Sequence, residues 1–201
     1  MKYKKDTSEK ILQSAFSEFE EKGYNGARMQ TIADRAGINK ALLHYYYKSK
    51  DALFQIIIKR AISLFLPNLI KSFKEDVDFF TGLENFVSVY IDFLIKHPRI
   101  PGFITHEINN NPDRVLSLFQ LSGLEIEGVK QRIRDAIRDG LIDDIEPEQL
   151  IVNVISLSVF PFIGKPIITG IVLDNDKQAY KQLMEARKKE VAQFIIKAIK
   201  K

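Results

Sequence analysis

The stretch that most constrains this chain runs from Gly37 to Lys50 and reads Gly-Ile-Asn-Lys-Ala-Leu-Leu-His-Tyr-Tyr-Tyr-Lys-Ser-Lys. The segment before it, residues 30–36, places apolar residues at helical spacing and predicts a short amphipathic helix. Gly37 can adopt the left-handed conformation that ends such a helix, and Asn39 can cap a second helix by accepting a backbone N–H. A helix, a short turn containing glycine and a second helix make the layout of a helix-turn-helix motif.

The composition of the second helix favours contact with DNA. Leu43 and Tyr47 lie four residues apart and are predicted to face inward. Hydroxyl, imidazole and ammonium groups hydrogen-bond phosphates, and the start of a recognition helix points at base edges. The alternative is a small three-helix core in which the tyrosines only pack. The residues predicted to bind DNA are Arg28, Gln30, Asn39, Lys40, Ala41, His44, Tyr45, Tyr46, Lys48 and Lys50.

These residues divide by expected role. Those expected nearest the bases are Arg28, Gln30, Lys40 and Ala41. For the first three of them, contact with the DNA backbone is an equally good assignment. The residues expected to contact phosphates and to orient the helix are His44, Tyr45, Tyr46, Lys48 and Lys50.

Several short motifs resemble the N-terminal domain of TetR-family transcriptional regulators. They are Gly23-Tyr24, Thr31-Ile32-Ala33, Ala36-Gly37-Ile38, His44-Tyr45-Tyr46-Tyr47 and Lys48-Ser49-Lys50-Asp51-Ala52-Leu53. The resemblance covers the first quarter of the chain. It implies an all-α homodimer with an N-terminal three-helix DNA-binding domain and a C-terminal domain that binds a small molecule and dimerises. The sequence departs from the family at Ala27 and Arg28, where threonine or serine often caps the second helix, and at Tyr47, where phenylalanine is usual.

Charge is distributed unevenly along the 201 residues. Residues 1–60 carry 12 Lys and Arg against 7 Asp and Glu, whereas residues 61–201 carry 18 against 19. A basic front and a nearly neutral rear indicate that only the front meets a polyanion. The absence of cysteine excludes a disulfide framework and thiolate chemistry. The charged first ten residues do not form a secretory signal, so we expect a cytoplasmic protein.

Apolar periodicity and breaker residues predict helices throughout, and therefore an all-α fold class. We predict a helix-turn-helix DNA-binding domain over residues 1–48 and a ligand-binding and dimerisation domain over residues 49–201. A helix over 49–73 is expected to connect the two. Behind it, helices are predicted over 79–96, 103–108, 115–138, 150–173 and 177–201, with a loop over 97–102.

The segment 150–173 carries one charged residue, Lys165, and is long enough to suggest a transmembrane helix. Two prolines and several polar residues interrupt it, and a buried helix that also packs against a second subunit explains the same composition. We therefore expect no membrane span. The family resemblance implies an interface of two helices per subunit, and the interface residues that we predict are Val152, Ile155, Val159, Val191, Phe194 and Ile195.

Aromatic residues with a few polar groups among them are typical of small-molecule sites. For any one of these residues, a Phe-rich core is the simpler interpretation. We predict that a mostly apolar effector contacts Phe86, Tyr90, Phe93, Phe103, His106, Phe119, Asn153, Ser156 and Phe160. The alternative is a DNA-bound protein whose rear domain docks a protein partner. A deep apolar cavity would favour the effector, and a filled core would favour the partner.

The sequence gives little support for catalysis or metal binding. His106 and Glu107 are adjacent, but neighbouring residues of a helix point apart, so they make a poor acid-base or metal pair. There is no phosphate-binding glycine loop and no nucleophile elbow. We expect a regulator without cofactor or metal, not an enzyme. It would bind a palindromic double-stranded DNA operator as a homodimer, most simply as a repressor, and release it when the effector binds.

Overall fold

The computed structural model describes residues 2–72, 77–98, 100–121 and 125–201. The helices in chain order are α1 Lys2–Gly26, α2 Met29–Arg35, α3 Lys40–Tyr46, α4 Lys50–Ser72, α5 Phe79–Lys96, α6 Ile100–Asn110, α7 Pro112–Leu121, α8 Ile126–Arg138, α9 Pro147–Ile163, α10 Lys165–Ile167 and α11 Lys177–Ile199. A π-helical turn, Ile168–Val172, follows α10. Within the described ranges the only bridge is an isolated antiparallel one between Ile142 and Lys200. The predicted all-α class is confirmed.

Three predicted elements differ from the structure in their bounds. The helix predicted over 115–138 is two helices, since α7 ends at Leu121 and α8 begins at Ile126. The helix predicted over 150–173 ends at Ile163, and the axis of the following helical segment is bent from it by 64°. The loop predicted over 97–102 is shorter, because α6 begins at Ile100 and a proline is tolerated in its first turn.

The chain divides into two compact units. The first unit combines Met1–Leu64 with Phe103–Ser122, and the second combines Phe65–Gly102 with Gly123–Lys201. The segment 103–122 therefore belongs with the N-terminal helices, although it is distant from them in sequence. The boundary that we place at residue 48 concerns function and remains a prediction.

The core of the first unit is built from the apolar faces of its N-terminal helices. In α1, Ile11, Ala15 and Phe19 recur every four residues and are almost fully buried. Gly23 interrupts α1 with φ 66° and ψ 176°, a conformation open almost only to glycine. Helical residues resume as far as Gly26, so Gly23 makes a sharp bend within α1. The bend places the following residues where α2 can begin.

The core of the second unit lies among three long helices. α5 and α11 pack along each other, and α9 packs against both. Asp78 caps α5 by accepting hydrogen bonds of 3.1 Å from the N–H groups of Phe80 and Thr81. Asp176 caps α11 in the same way. The most deeply buried apolar residues of this core include Leu83, Val87, Ile91, Leu94, Ile133, Ile142, Leu150, Met184, Val191, Ala192 and Ile195.

In the described ranges, no single helix meets the length and apolarity that a membrane crossing requires. The bent pair formed by α9 and residues Lys165–Val172 meets both criteria only when its two parts are taken together.

Candidate nucleic-acid interface

The turn between α2 and α3 has the predicted geometry. The N–H groups of Gly37 and Ile38 donate to carbonyls of α2 at 3.1 and 3.0 Å, which is the bond pair of a Schellman cap. Gly37 has φ 68°, in the left-handed region that glycine adopts without a steric penalty. Asn39 then accepts a hydrogen bond of 2.8 Å from the N–H of Leu42 and caps α3. These bonds fix the start of α3 relative to α2.

One face of α3 packs against the protein, and another face is exposed to solvent. Leu43 is fully buried and Tyr47 is 8% exposed, so their predicted inward orientation is confirmed. The hydroxyl of Tyr47 lies 2.8 Å from that of Ser8 in α1, a hydrogen bond that phenylalanine could not make. Tyr46 is half-buried. The residues of this region that are both predicted to bind DNA and exposed are Asn39, Lys40, Ala41, His44, Tyr45 and Lys48.

The start of α2 is capped from outside its own segment. Arg28 occupies the N-cap position and makes no side-chain capping bond. The carboxylate of Glu18 in α1 accepts the backbone N–H of Arg28 at 3.3 Å instead. Glu18 is 2% exposed, and its other oxygen lies 3.2 Å from the Arg35 guanidinium. A buried acid thus replaces the serine or threonine cap and leaves the Arg28 side chain exposed to solvent.

Sequence reasoning missed Glu18, although a signal was present. Glu18 follows Ile11 by seven residues and Ala15 by three, which places it on the buried face of α1. A carboxylate on such a face needs a cation or several N–H donors. Arg35 supplies the cation, and two hydrogen bonds of 3.0 and 2.7 Å to Glu21 hold the guanidinium in place.

Three residues predicted to bind DNA also have contacts within the protein. The ammonium of Lys50 donates to the carbonyls of Tyr24 and Ala27 at 2.8 and 3.2 Å. Lys50 therefore ties the start of α4 to the end of α1, a positioning role beside the predicted phosphate contact. The Gln30 amide donates to Asp34 at 2.8 Å on the exposed surface of α2. The Nδ1 atom of His44 lies 3.3 Å from the Lys48 carbonyl.

The sequence of this region matches a family model. Residues 11–57, which include α2, the turn and α3, match the model described as bacterial regulatory proteins, tetR family. Over these residues the chain is similar to the tetR family. Among the described residues, no group of three His, Asp or Glu side chains could hold a metal ion.

Two relatives extend the tetR likeness beyond the helix-turn-helix. The chain is 25% identical over 144 residues to the HTH-type transcriptional regulator RutR of Escherichia coli strain K12, an alignment that covers 70% of this chain and 66% of RutR, just under two thirds of its length. It is 25% identical over 142 residues to IcaR of Staphylococcus epidermidis, the negative transcriptional regulator of the biofilm operon icaADBC, and the alignment covers 71% of each protein.

A solved structure matches the fold over nearly the whole chain. SCO4942 from Streptomyces coelicolor aligns with a TM-score of 0.71 and 23% identity, and the alignment covers 96% of this chain and 98% of that chain. At this identity the likeness establishes the fold alone.

The residues predicted to bind an effector lie in both compact units. Phe86, Tyr90 and Phe93 lie on α5, partly buried against the core of the second unit. The Phe86 and Tyr90 ring centroids are 6.1 Å apart, and burial raises the pKa of Tyr90 to about 12. Phe119 is half-buried in α7, in the first unit. The predictions for the side chains of Phe103 and His106 lie outside the described part of the structure.

The prediction that Asn153, Ser156 and Phe160 line a cavity needs correction, because all three lie on the exposed face of α9. α9 buries Leu150, Val154, Ser158 and Phe162, which recur every four residues. The buried hydroxyl is therefore that of Ser158, which donates to the Val154 carbonyl at 2.7 Å. The exposed face of α9 also carries apolar residues such as Val152 and Ile155, so the sequence does not mark the face that turns inward.

The residues predicted at the dimer interface divide into two groups. Val152, Ile155 and Phe194 are 56, 40 and 66% exposed, as an unoccupied interface requires, and Val159 is half-buried. Val191 and Ile195 are each 3% exposed, because they face the core of their own chain. These two leave no surface for a partner, and this part of the prediction is corrected: on α11 the outward position is Phe194.

Proposed function

We propose that this protein is a transcriptional regulator that recognises a palindromic DNA operator as a homodimer. The observation that carries the proposal is the arrangement of α3. Buried Leu43, and Tyr47 directly after the helix, fix α3, while its other face exposes ammonium, imidazole and phenol groups. Such groups bind phosphates and base edges. The relatives RutR and IcaR are transcriptional regulators, and IcaR is a negative one, which supports repression. The regulator acts in the cytoplasm and needs neither cofactor nor metal.

The roles proposed for individual residues follow their positions. Arg28, Gln30, Lys40 and Ala41 lie at the starts of α2 and α3 and face solvent, so we assign them to the bases or the adjacent backbone. His44, Tyr45, Tyr46 and Lys48 lie toward the end of α3 and are assigned to phosphates. Asn39 acts mainly as the cap of α3, and Lys50 acts mainly through the carbonyls it binds.

Selection from random duplex DNA, followed by binding assays on the selected operator, tests the proposal. Lys40→Ala is expected to cost about 1–3 kcal/mol and to relax preference at one base position. Lys48→Ala is expected to weaken binding to all duplexes alike and to reduce the salt slope by about one. Lys189→Ala, an exposed lysine of α11, is the matched control. A protein that selects no sequence, or two α3 variants that bind like the control, would contradict the proposal.

For the dimer, we propose that the exposed apolar residues of α9 and α11 pack against a second copy of the chain. Val152, Ile155, Phe160 and Ile163 are exposed apolar residues of α9, and Phe194 is an exposed apolar residue of α11. Large exposed apolar side chains in groups mark interaction surfaces, and a self-complementary patch is the usual basis of a two-fold dimer. Two recognition helices would then meet half-sites about 34–36 Å apart.

For regulation, we propose a small, mostly apolar effector bound by the second unit around Phe86, Tyr90 and Phe93. The contributions of Phe103, His106 and Phe119 remain predictions. One observation favours the alternative, a protein partner: Ile167, Ile171 and Val172 are 59–76% exposed near the π-helical turn. The two hypotheses differ in purified protein. With an effector, a lipophilic compound alone weakens operator binding, because it binds the DNA-incompetent state more tightly. With a protein partner, no such compound has an effect.

A further inference from the structure

One arginine joins two acids in the first compact unit, and the proposed function does not account for it. Arg114 in α7 places Nη2 2.6 Å from Asp51 Oδ1 and Nη1 3.2 Å from Glu107 Oε2. Asp51 lies in the first turn of α4, directly after the connection from α3, and Glu107 lies in α6. All three residues belong to the same compact unit.

The two ends of this arrangement differ in burial. The Glu107 side chain is 1% exposed and that of Asp51 is 38% exposed. Glu107 Oε2 also accepts a hydrogen bond of 3.3 Å from Asn111, whereas Oε1 is buried without a hydrogen-bond partner among the described residues. A buried carboxylate that loses its cation is strongly destabilised, whereas a partly exposed one is stabilised by water. Glu107 therefore anchors Arg114, and the contact with Asp51 is the one that can open.

The first turn of α4 is where this contact acts on the helix-turn-helix. Its Lys50 donates to the carbonyls of Tyr24 and Ala27, at the junction of α1 and α2. Tyr24 also donates to Asp51 at 3.4 Å. α3 ends at Tyr46, and α4 begins four residues later at Lys50, so the position of this turn sets the position of the end of α3.

Resting on the proposed function, we infer that Arg114 is a positioning residue for the recognition helix. From its anchor on Glu107 it holds Asp51, and with it the start of α4 and the end of α3, in the orientation that binds DNA. When the contact is lost, α3 samples more orientations in the free protein. Binding to the operator must then restrict these orientations, and this entropy cost lowers the affinity. The contact never touches DNA, and it gives the segment 103–122 a means of controlling operator binding.

Two variants distinguish a positioning role of Arg114 from a general contribution to stability. One is a conservative single substitution, and the other is a double substitution that preserves net charge. Asp51→Asn removes the negative charge that pairs with Arg114. On charge alone, the loss of this negative charge would tighten DNA binding. The double variant Arg114→Met with Glu107→Gln removes the buried charge together with its cation, which protects the fold and leaves net charge unchanged. Arg138→Met with Asp135→Asn removes an exposed pair of the second unit and is the matched control.

The test compares the operator affinity of each full-length variant with that of wild type. Binding is measured on the selected duplex at a temperature well below each variant's Tm. Both test variants are expected to bind about fivefold or more weakly than wild type, and the control like wild type. Combining all three test substitutions should cause no further loss, because they remove one contact. Hydrogen exchange in the free protein should quicken in residues 47–53 and stay unchanged in α5 and α11.

Several outcomes would overturn the inference. They are an Asp51→Asn variant that binds like wild type or more tightly, additive losses in the combined variant, and unchanged exchange in residues 47–53. Failure of the proposed function looks different, since wild type itself would then select no operator. In that case the exchange measurement still reports whether Arg114 orders the start of α4.

Discussion

The side-chain oxygen of Asn39 accepts a hydrogen bond of 2.8 Å from the N–H of Leu42. This bond caps the start of α3, the helix that we propose contacts DNA. Capping and DNA contact can be separated at this residue. Asn39→Ala removes the acceptor and is expected to cost about 1 kcal/mol of stability. Asn39→Asp keeps an acceptor at the helix N-terminus, where negative charge is favourable, so stability should be retained. The added charge would face phosphates, so operator affinity should fall.

Urea unfolding followed by circular dichroism, together with operator binding by fluorescence anisotropy, measures both effects. If Asn39→Asp binds the operator as wild type does, α3 does not begin beside phosphates. If Asn39→Ala is as stable as wild type, the capping bond contributes nothing.

Glu18 provides a second prediction because it caps α2 from α1. Glu18→Ala removes the acceptor of the Arg28 N–H and the buried partner of Arg35, and should lower the free energy of unfolding by about 1–3 kcal/mol. Glu18→Gln keeps a carbonyl oxygen for the same N–H and should cost less. Glu20→Ala, two residues further along α1 and less buried, is the control. Urea unfolding ranks the three, and equal stability of the alanine and glutamine variants would argue against the cap.

The features of the fold that could be predicted from sequence are those that depend on residues close together in the chain. Gly37 and Asn39 act on backbone groups within five residues, so the turn and both short helices could be predicted from adjacent sequence. The contact of Glu18 with Arg28 spans ten residues, and that of Arg114 with Asp51 joins distant helices. No local pattern specifies such pairs. They depend on how the helices pack.

The rear of the chain was harder to predict for a different reason. In α9 apolar residues lie on every face, so periodicity could not distinguish buried Ser158 from exposed Ser156. In α11 the sequence likewise does not distinguish the apolar residues that face the core from those that face solvent. Val191 and Ile195 fill the core, while neighbouring Phe194 faces solvent. A periodic stripe wider than one helix face contains both core and interface residues.

Phe194 gives the third prediction, on assembly. Phe194→Glu places a charge in a contact that dimerisation would desolvate, so the dimer should dissociate. Light scattering should change from twice the 23.1 kDa chain mass to that mass, and operator affinity should fall because one half-site is lost. Gln178→Glu makes the same change of charge on α11, turned about 160° away, and should remain dimeric. A Phe194→Glu protein that is still dimeric would place the interface elsewhere.

The last prediction concerns Tyr90, whose pKa burial raises to about 12. An unfolded tyrosine ionises near pH 10, so the folded state holds this proton more tightly than the unfolded state does. The stabilisation is fully present below about pH 10 and is lost as pH rises toward 12. At about pH 11, wild type should have lost about 1 kcal/mol relative to Tyr90→Phe, which has no proton to lose.

Urea unfolding of both proteins at pH 8 and pH 11 isolates this effect, because lysines and the other tyrosines titrate alike in the two chains. Tyr24 and Tyr180 also have pKa values raised by burial, so the difference between the proteins, not the wild-type curve alone, carries the test. Absorbance near 295 nm should show one fewer late-titrating tyrosine in the variant. If the stability difference is the same at both pH values, Tyr90 is hydrated, and the partly buried face of α5 that we propose for an apolar effector is open to water.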